Sequence, residues 1–114
     1  MKKFYVTTAI PYVNASPHIG FAMEATQADV LARYHRLKGE VVYFLTGVDE
    51  HGVKLYETAK AAGKDPQSFA DGYAEQFRAL KGVLGLSNDG FIRTTDSSHK
   101  ISAQKLWTVL AEKG

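Results

Sequence analysis

Short apolar runs rich in β-branched and aromatic residues alternate along this chain with longer stretches whose apolar residues return every three or four positions. The first period suits strands and the second suits helices, so the pattern predicts an α/β layer architecture with a parallel sheet. Residues 3–9 read as the first strand. A loop over 10–15 is punctuated by Pro11 and Asn14, and Ser16 with Pro17 supplies a hydroxyl cap and a first-position proline for a helix running to about Lys38. On that helix Ile19, Met23, Val30, Tyr34 and Leu37 fall mostly on one stripe, the kind an amphipathic helix turns to its core, and Gly39 sits where a left-handed cap is wanted. Residues 41–46 are an unbroken apolar run, the mark of a strand buried on both faces. Strand, helix and strand make a βαβ unit, and its right-handed crossover places both strand ends and the helix start along the same edge.

Beyond the second strand, Asp49 can cap a short helix that ends near Gly63. Asp65-Pro66 opens a longer helix carrying Phe69, Tyr73, Phe77, Leu80 and Leu84, whose aromatics belong to the core. Gly85, Asn88, Asp89 and Gly90 make a turn, 91–95 reads as a third strand, and a final helix from about Ser98 carries Ile101, Leu106, Trp107 and Leu110. No repeat or linker divides residues 1–114, which makes one domain the ceiling. A sheet of three strands is small for a doubly wound fold, so the expectation is a Rossmann-like parallel sheet with flanking helices, first half only.

Composition narrows the function classes more than the fold. With 14 basic and 12 acidic side chains the charge is nearly balanced, and no dedicated nucleic-acid-binding face is legible. The chain has no cysteine, which removes disulfides and thiolate metal sites and makes the cytoplasm the default compartment. The opening Met1-Lys2-Lys3 and the apolar residues after it resemble a secretory signal. Threonines, tyrosines and Pro11 dilute that run, and strand is the better reading. No stretch suits a membrane span.

Candidate chemistry lies at two strand carboxyl ends, where open α/β sheets bind ligands. The first is Ala9-Ile10-Pro11-Tyr12-Val13-Asn14 through Pro17-His18-Ile19-Gly20. His18 is expected in the first helical turn, among free backbone N–H groups, where it adds a donor toward a phosphate oxygen. Gly20 lets a flat base or a backbone approach. Taken alone, His-Ile-Gly is equally a surface histidine beside an ordinary glycine. The second place is Thr46-Gly47-Val48-Asp49-Glu50-His51-Gly52, where Asp49 can receive an ammonium group or cap the following helix, or give one oxygen to each. Glu50 and His51 read as solvated helix-start residues or as partners of a functional group.

These segments carry a resemblance. Ala9 to Asn14 followed by Pro17-His18-Ile19-Gly20 resembles the signature of class I aminoacyl-tRNA synthetases, which normally reads His-Ile-Gly-His. The segments from Gln27 to Tyr34, Phe44 to Gly52 and Phe91 to Asp96 resemble the methionyl members. Leucyl, isoleucyl and valyl relatives usually carry tryptophan before the aspartate of the second motif, where this chain has Val48. The resemblance implies a two-step ligase: methionine attacks the α-phosphate of ATP, which brings Mg²⁺, to give methionyl adenylate and pyrophosphate, and the aminoacyl group passes to tRNA. By the same resemblance Asp49 receives the methionine ammonium, Ala9, Ile10 and Tyr12 line the methionine site, His18, Gly20 and Pro11 contact ATP, and His18 is the catalytic histidine. No metal site is implied within the chain.

Two departures from the family pattern bear on activity. Phe21 replaces the second histidine of the signature and offers no hydrogen bond; loss of one transition-state donor costs about 10²–10³ in rate. Its alternative role is packing against the neighbours of the first helix. Family members also continue into a connective insertion, a second half with a Lys-Met-Ser-Lys-Ser loop, and an anticodon-binding domain. The expectation is therefore a segment that depends on the remaining half of the synthetase, inactive or weakly active alone, with self-association through uncovered apolar surface. Rival readings are a zinc hydrolase using His18, Asp49 and His51, a nucleotidylyltransferase, and a non-catalytic fragment that binds nucleotide or methionine.

Overall fold

A computed structural model describes all residues, Met1–Gly114. Its strands are β1 (Lys3–Thr7), β2 (Val41–Val48) and β3 (Gly90–Arg93), and its helices are α1 (Ile19–Leu37), α2 (Val53–Ala61), α3 (Pro66–Leu84) and α4 (Ser97–Lys113). The strands form one parallel sheet in the order β1-β2-β3. Tyr5 lies opposite Tyr43, and Gly47 opposite Ile92. No helix is long and apolar enough to cross a membrane.

Both α1 and α3 lie on one face of the sheet, α1 against β1 and β2, and α3 against β2, α1 and α2. The main core joins Val13, Phe21, Ala25 and Val48 to Leu55, Ala59, Phe69, Ala74, Phe77 and Leu86. A second cluster of Ala28, Ala32 and Phe44 fills the space between α1 and the sheet. Small residues on α1 let the helix approach the strands closely, and Phe44 is the bulky side chain that meets them.

The structure corrects several expectations. The first helix starts at Ile19, not after Ser16, because the His18 ring caps it: Nδ1 accepts the Gly20 N–H at 3.1 Å. His18 is thus the cap residue and not part of the first turn. The stripe of Ile19, Met23, Val30, Tyr34 and Leu37 faces outward, and the buried side carries Phe21, Ala25, Ala28, Asp29 and Ala32. The buried side of α1 is largely alanine, so a search for large apolar residues selects the wrong face. The second strand is buried on both faces only in its last three residues; Val41 and Tyr43 are exposed on the face opposite α1. The first and third strands stop earlier than expected, at Thr7 and Arg93.

Other signals act as expected. Gly39 has a left-handed φ of 76° after α1. Asp65 caps α3 by accepting the Ser68 N–H at 3.0 Å, with Pro66 in the first turn. Of the aromatics on α3, Phe69 and Phe77 are buried and Tyr73 packs against the core. No residue of α4 is buried.

Candidate functional site

The carboxyl ends of all three parallel strands lie along one edge, and the loops that leave them meet there. After β1 the chain runs through Ile10–Asn14 before turning into α1, and after β2 it runs through Asp49–Gly52 before α2. These two loops are tied by backbone hydrogen bonds. Asp49 N–H donates to Pro11 O at 2.9 Å, and Val13 N–H donates to Asp49 O at 3.3 Å, so Tyr12 and Asp49 form a short parallel bridge. Two segments far apart in sequence are thereby one place in the fold.

Asp49 does not cap α2. That helix starts after Gly52 with no side-chain cap, and Asp49 Oδ1 instead accepts the His51 N–H and the Thr94 hydroxyl, each at 3.1 Å. Oδ2 makes no hydrogen bond within the chain. The capping role, alone or shared between the two oxygens, is therefore not the one this carboxylate plays.

His18 projects at the start of α1. Because Nδ1 accepts a hydrogen bond from Gly20, the ring hydrogen belongs on Nε2, which is left as a donor with no partner in the chain. Gly20 makes this possible, since a Cβ there would stand 2.9 Å from the His18 ring. A cleft of about 200 Å³ joins His18 to Pro11, Tyr12, Asn14, Phe21 and Phe77. Tyr12 also borders an adjoining cleft of about 230 Å³ with Gly52 and Leu55. Ile10 belongs elsewhere, in an open cleft of about 420 Å³ beside Thr8, Leu45, Ile92 and His99. The structure thus brings Pro11, Tyr12 and His18 together, ties them to Asp49 through the backbone, and leaves Ile10 facing a neighbouring space. Ala9 is exposed, with its N–H donating to Glu24 Oε1 at 2.5 Å.

Phe21 is buried, with its ring edge-on to Phe77 at 5.2 Å between centroids. At this position the chain has a core residue in place of a polar group, as its packing alternative expects.

Glu50 is a correction. Its side chain is fully buried and not solvated. Oε1 accepts from Arg93 Nε at 2.9 Å and Nη2 at 2.6 Å, Oε2 accepts the Thr95 hydroxyl, and Arg93 also reaches Asp71 on α3. Glu50 first, and Asp71 with it, raise the Arg93 pKa above its ordinary range against the lowering effect of burial. The same contact, with help from Gln67, lowers the Asp71 carboxyl. Arg93, Thr94 and Thr95 carry no local signal because their partners at Asp49 and Glu50 lie 43 to 45 positions away; only the resemblance of the Phe91–Asp96 segment pointed to them. No group of three His, Asp or Glu side chains is placed together as metal ligands would be.

Residues 4–114 match the family model described as tRNA synthetases class I (M). A methionine–tRNA ligase of Thermotoga maritima is 51% identical over 98% of this chain and 18% of its own length. One from Brucella suis is 44% identical over 99% of this chain and 22% of its length. The solved structure of Mycobacterium tuberculosis methionyl-tRNA synthetase in complex with methionyl-adenylate superposes with a TM-score of 0.94 at 44% identity, covering 98% of this chain and 22% of that one. The chain therefore spans about a fifth of the length of the relatives it matches. Sequence and fold agree, and the chain belongs to the class I tRNA synthetases, in the methionyl family.

Proposed function

We propose that residues 1–114 form the first half of a class I catalytic domain and carry part of the site where methionine is activated by ATP. The observation that carries this reading is the backbone tie between Pro11–Val13 and Asp49, which brings the two candidate motifs to one sheet edge. Asp49 Oδ2 receives the methionine ammonium. Tyr12 borders the side chain, and the family resemblance adds Ala9 and Ile10 of the same loop, Ile10 from the neighbouring cleft that it faces; a flexible thioether suits such an apolar, aromatic boundary. The carboxylate identifies an amino acid and the apolar boundary identifies which one, since shape alone discriminates by only about 1–3 kcal/mol per methylene.

ATP takes the His18 side of the site. His18 Nε2–H and the free N–H groups at the start of α1 face the phosphates, and the family resemblance gives the adenine to Gly20, whose lack of a side chain also seats the His18 ring, with Pro11 bordering it. A methionine carboxylate oxygen attacks the α-phosphorus, the bond to the bridging oxygen of the β-phosphate breaks, and pyrophosphate leaves. These residues position the reactants and stabilise charge without forming a covalent bond, as such a transfer requires. Mg²⁺ travels on the ATP phosphate oxygens and is given no ligand from this chain. Transfer to tRNA is assigned to the longer synthetase, whose remaining half completes the site, and the compartment is the cytoplasm.

Binding tests this reading more directly than turnover. Titration of the chain with methionine, followed by backbone amide resonances, is expected to move Ile10, Tyr12 and Asp49, with leucine much weaker and Asp49→Ala abolishing the response. Equal responses to both amino acids, or shifts away from this edge, would refute it. Methionine-dependent ATP–pyrophosphate exchange is expected to be absent or very slow.

A further inference from the structure

We infer that Thr94 is a positioning residue that commits one oxygen of Asp49 to the protein and leaves the other for a substrate ammonium; this rests on the function proposed above. Thr94 follows β3 and is 6% exposed. Every polar atom it has engages the stretch from Val48 to His51. Its N–H donates to Val48 O at 3.4 Å, and its carbonyl lies 3.2 Å from His51 Nε2. Its hydroxyl lies 2.8 Å from Glu50 N and 3.1 Å from Asp49 Oδ1.

The direction of these bonds follows from which atoms carry hydrogen. A backbone N–H only donates, so the hydroxyl accepts from Glu50, and its single hydrogen is left for Asp49. Oδ1 then holds two donors, the Thr94 hydroxyl and the His51 N–H. The His51 bond alone is the local turn any aspartate can make, and it leaves the carboxylate free to turn about its last torsion. With the second donor, 45 residues away in sequence, the plane is fixed and Oδ2 is left without a partner in the chain. A ligand ammonium meeting Oδ2 displaces no protein donor.

The hydroxyl is not what holds the two strand ends together. Buried Glu50 and Arg93 do that through two hydrogen bonds, and β2 pairs with β3 up to Val48 and Arg93. Thr94→Val keeps the shape of the side chain while removing its hydroxyl, and Thr94→Ser retains the hydroxyl.

The test is binding of methionine and of the methionine analogue lacking the amine to the parent chain, Thr94→Val, Thr94→Ser and Asp49→Ala, each checked for folding by thermal melting. Thr94→Val is expected to weaken methionine by about tenfold, what one hydrogen bond supplies, and to leave the des-amino analogue unchanged; Thr94→Ser is expected to bind methionine like the parent. Equal losses for both ligands, or no loss for either, would overturn the positioning role. If Asp49→Ala loses methionine and Thr94→Val does not, this inference fails and the proposed function stands. If the parent chain itself does not prefer methionine to the analogue, both fail.

Discussion

The carboxyl of Asp29 sits under α1 and collects three short bonds, from Ser87 N, Ser87 Oγ and Arg33 Nε, each at 2.6 Å. Burial pushes its pKa up, but the bonds from Ser87 and Arg33 outweigh that and hold it below the usual range. A depressed folded value means stability that is complete above the unfolded pKa of about 3.9 and lost as pH falls through the folded one. Asp29→Asn is therefore expected to cost about 2 kcal/mol at neutral pH, measured by urea unfolding. The gap between parent and variant should close as the pH is lowered below about 4; a gap of constant size would assign the loss to shape and not to charge. The residue lies in the Gln27–Tyr34 segment that resembles the methionyl family, and its role there is to pin the helix to the turn before β3. Its partner Ser87 is 58 positions away, which no local pattern reveals. At this scale the sequence displayed His18, Gly20 and Asp49 as candidates. It did not display which nitrogen of His18 is bound, or which oxygen of Asp49 is free.

At the scale of elements, Gly47 is where β2 meets β3 without room for a side chain. A Cβ on Gly47 would stand 2.2 Å from Ile92 O and 2.5 Å from Ile92 Cγ2, so no side chain fits unless the strands part. Gly47→Ala is expected to cost about 3 kcal/mol, the upper end for overpacking. Gly72 and Gly82, exposed within α3, meet nothing within 4 Å. Alanine at either is expected to stabilise by about 0.5–1 kcal/mol, because it removes backbone freedom from the unfolded chain. Thermal or urea unfolding of the three variants separates crowding from flexibility; loss at all three would refute the distinction. The existence and order of the elements were legible because their periods differ. The caps were legible only in part: Asp65-Pro66 acts as read, whereas the His18 ring displaces Ser16 from the role its type suggests.

Over the whole molecule, the dimensions are 50 × 43 × 19 Å. The radius of gyration is 16.2 Å, against about 13 Å for a compact chain of this size. The face of the sheet opposite α1 and α3 shows Tyr5 and Tyr43 at 60% and 50% exposure, and α4 shows Trp107 at 78%. Apolar surface of this kind, beside the outer edge of β1, favours association. The isolated chain is expected to sediment with a concentration-dependent mass, and the double variant Tyr5→Glu, Tyr43→Glu to shift it toward the monomer. A monomer at all concentrations in the parent would contradict this.

What the sequence determined by itself was the alternation of strand and helix, the parallel class of the sheet, the α3 cap and the two loops where chemistry gathers. Each is a local property, set by period, by capping chemistry or by composition over a few residues. Tertiary structure alone decided which side of α1 is buried, why Gly47 admits no side chain, and that Glu50 is a buried anchor. It also decided that Thr94 meets Asp49. The last three outcomes depend on contacts between residues some 45 positions apart, and the pairing of parallel strands across a helical crossover, which no single segment encodes, is what brings them within reach.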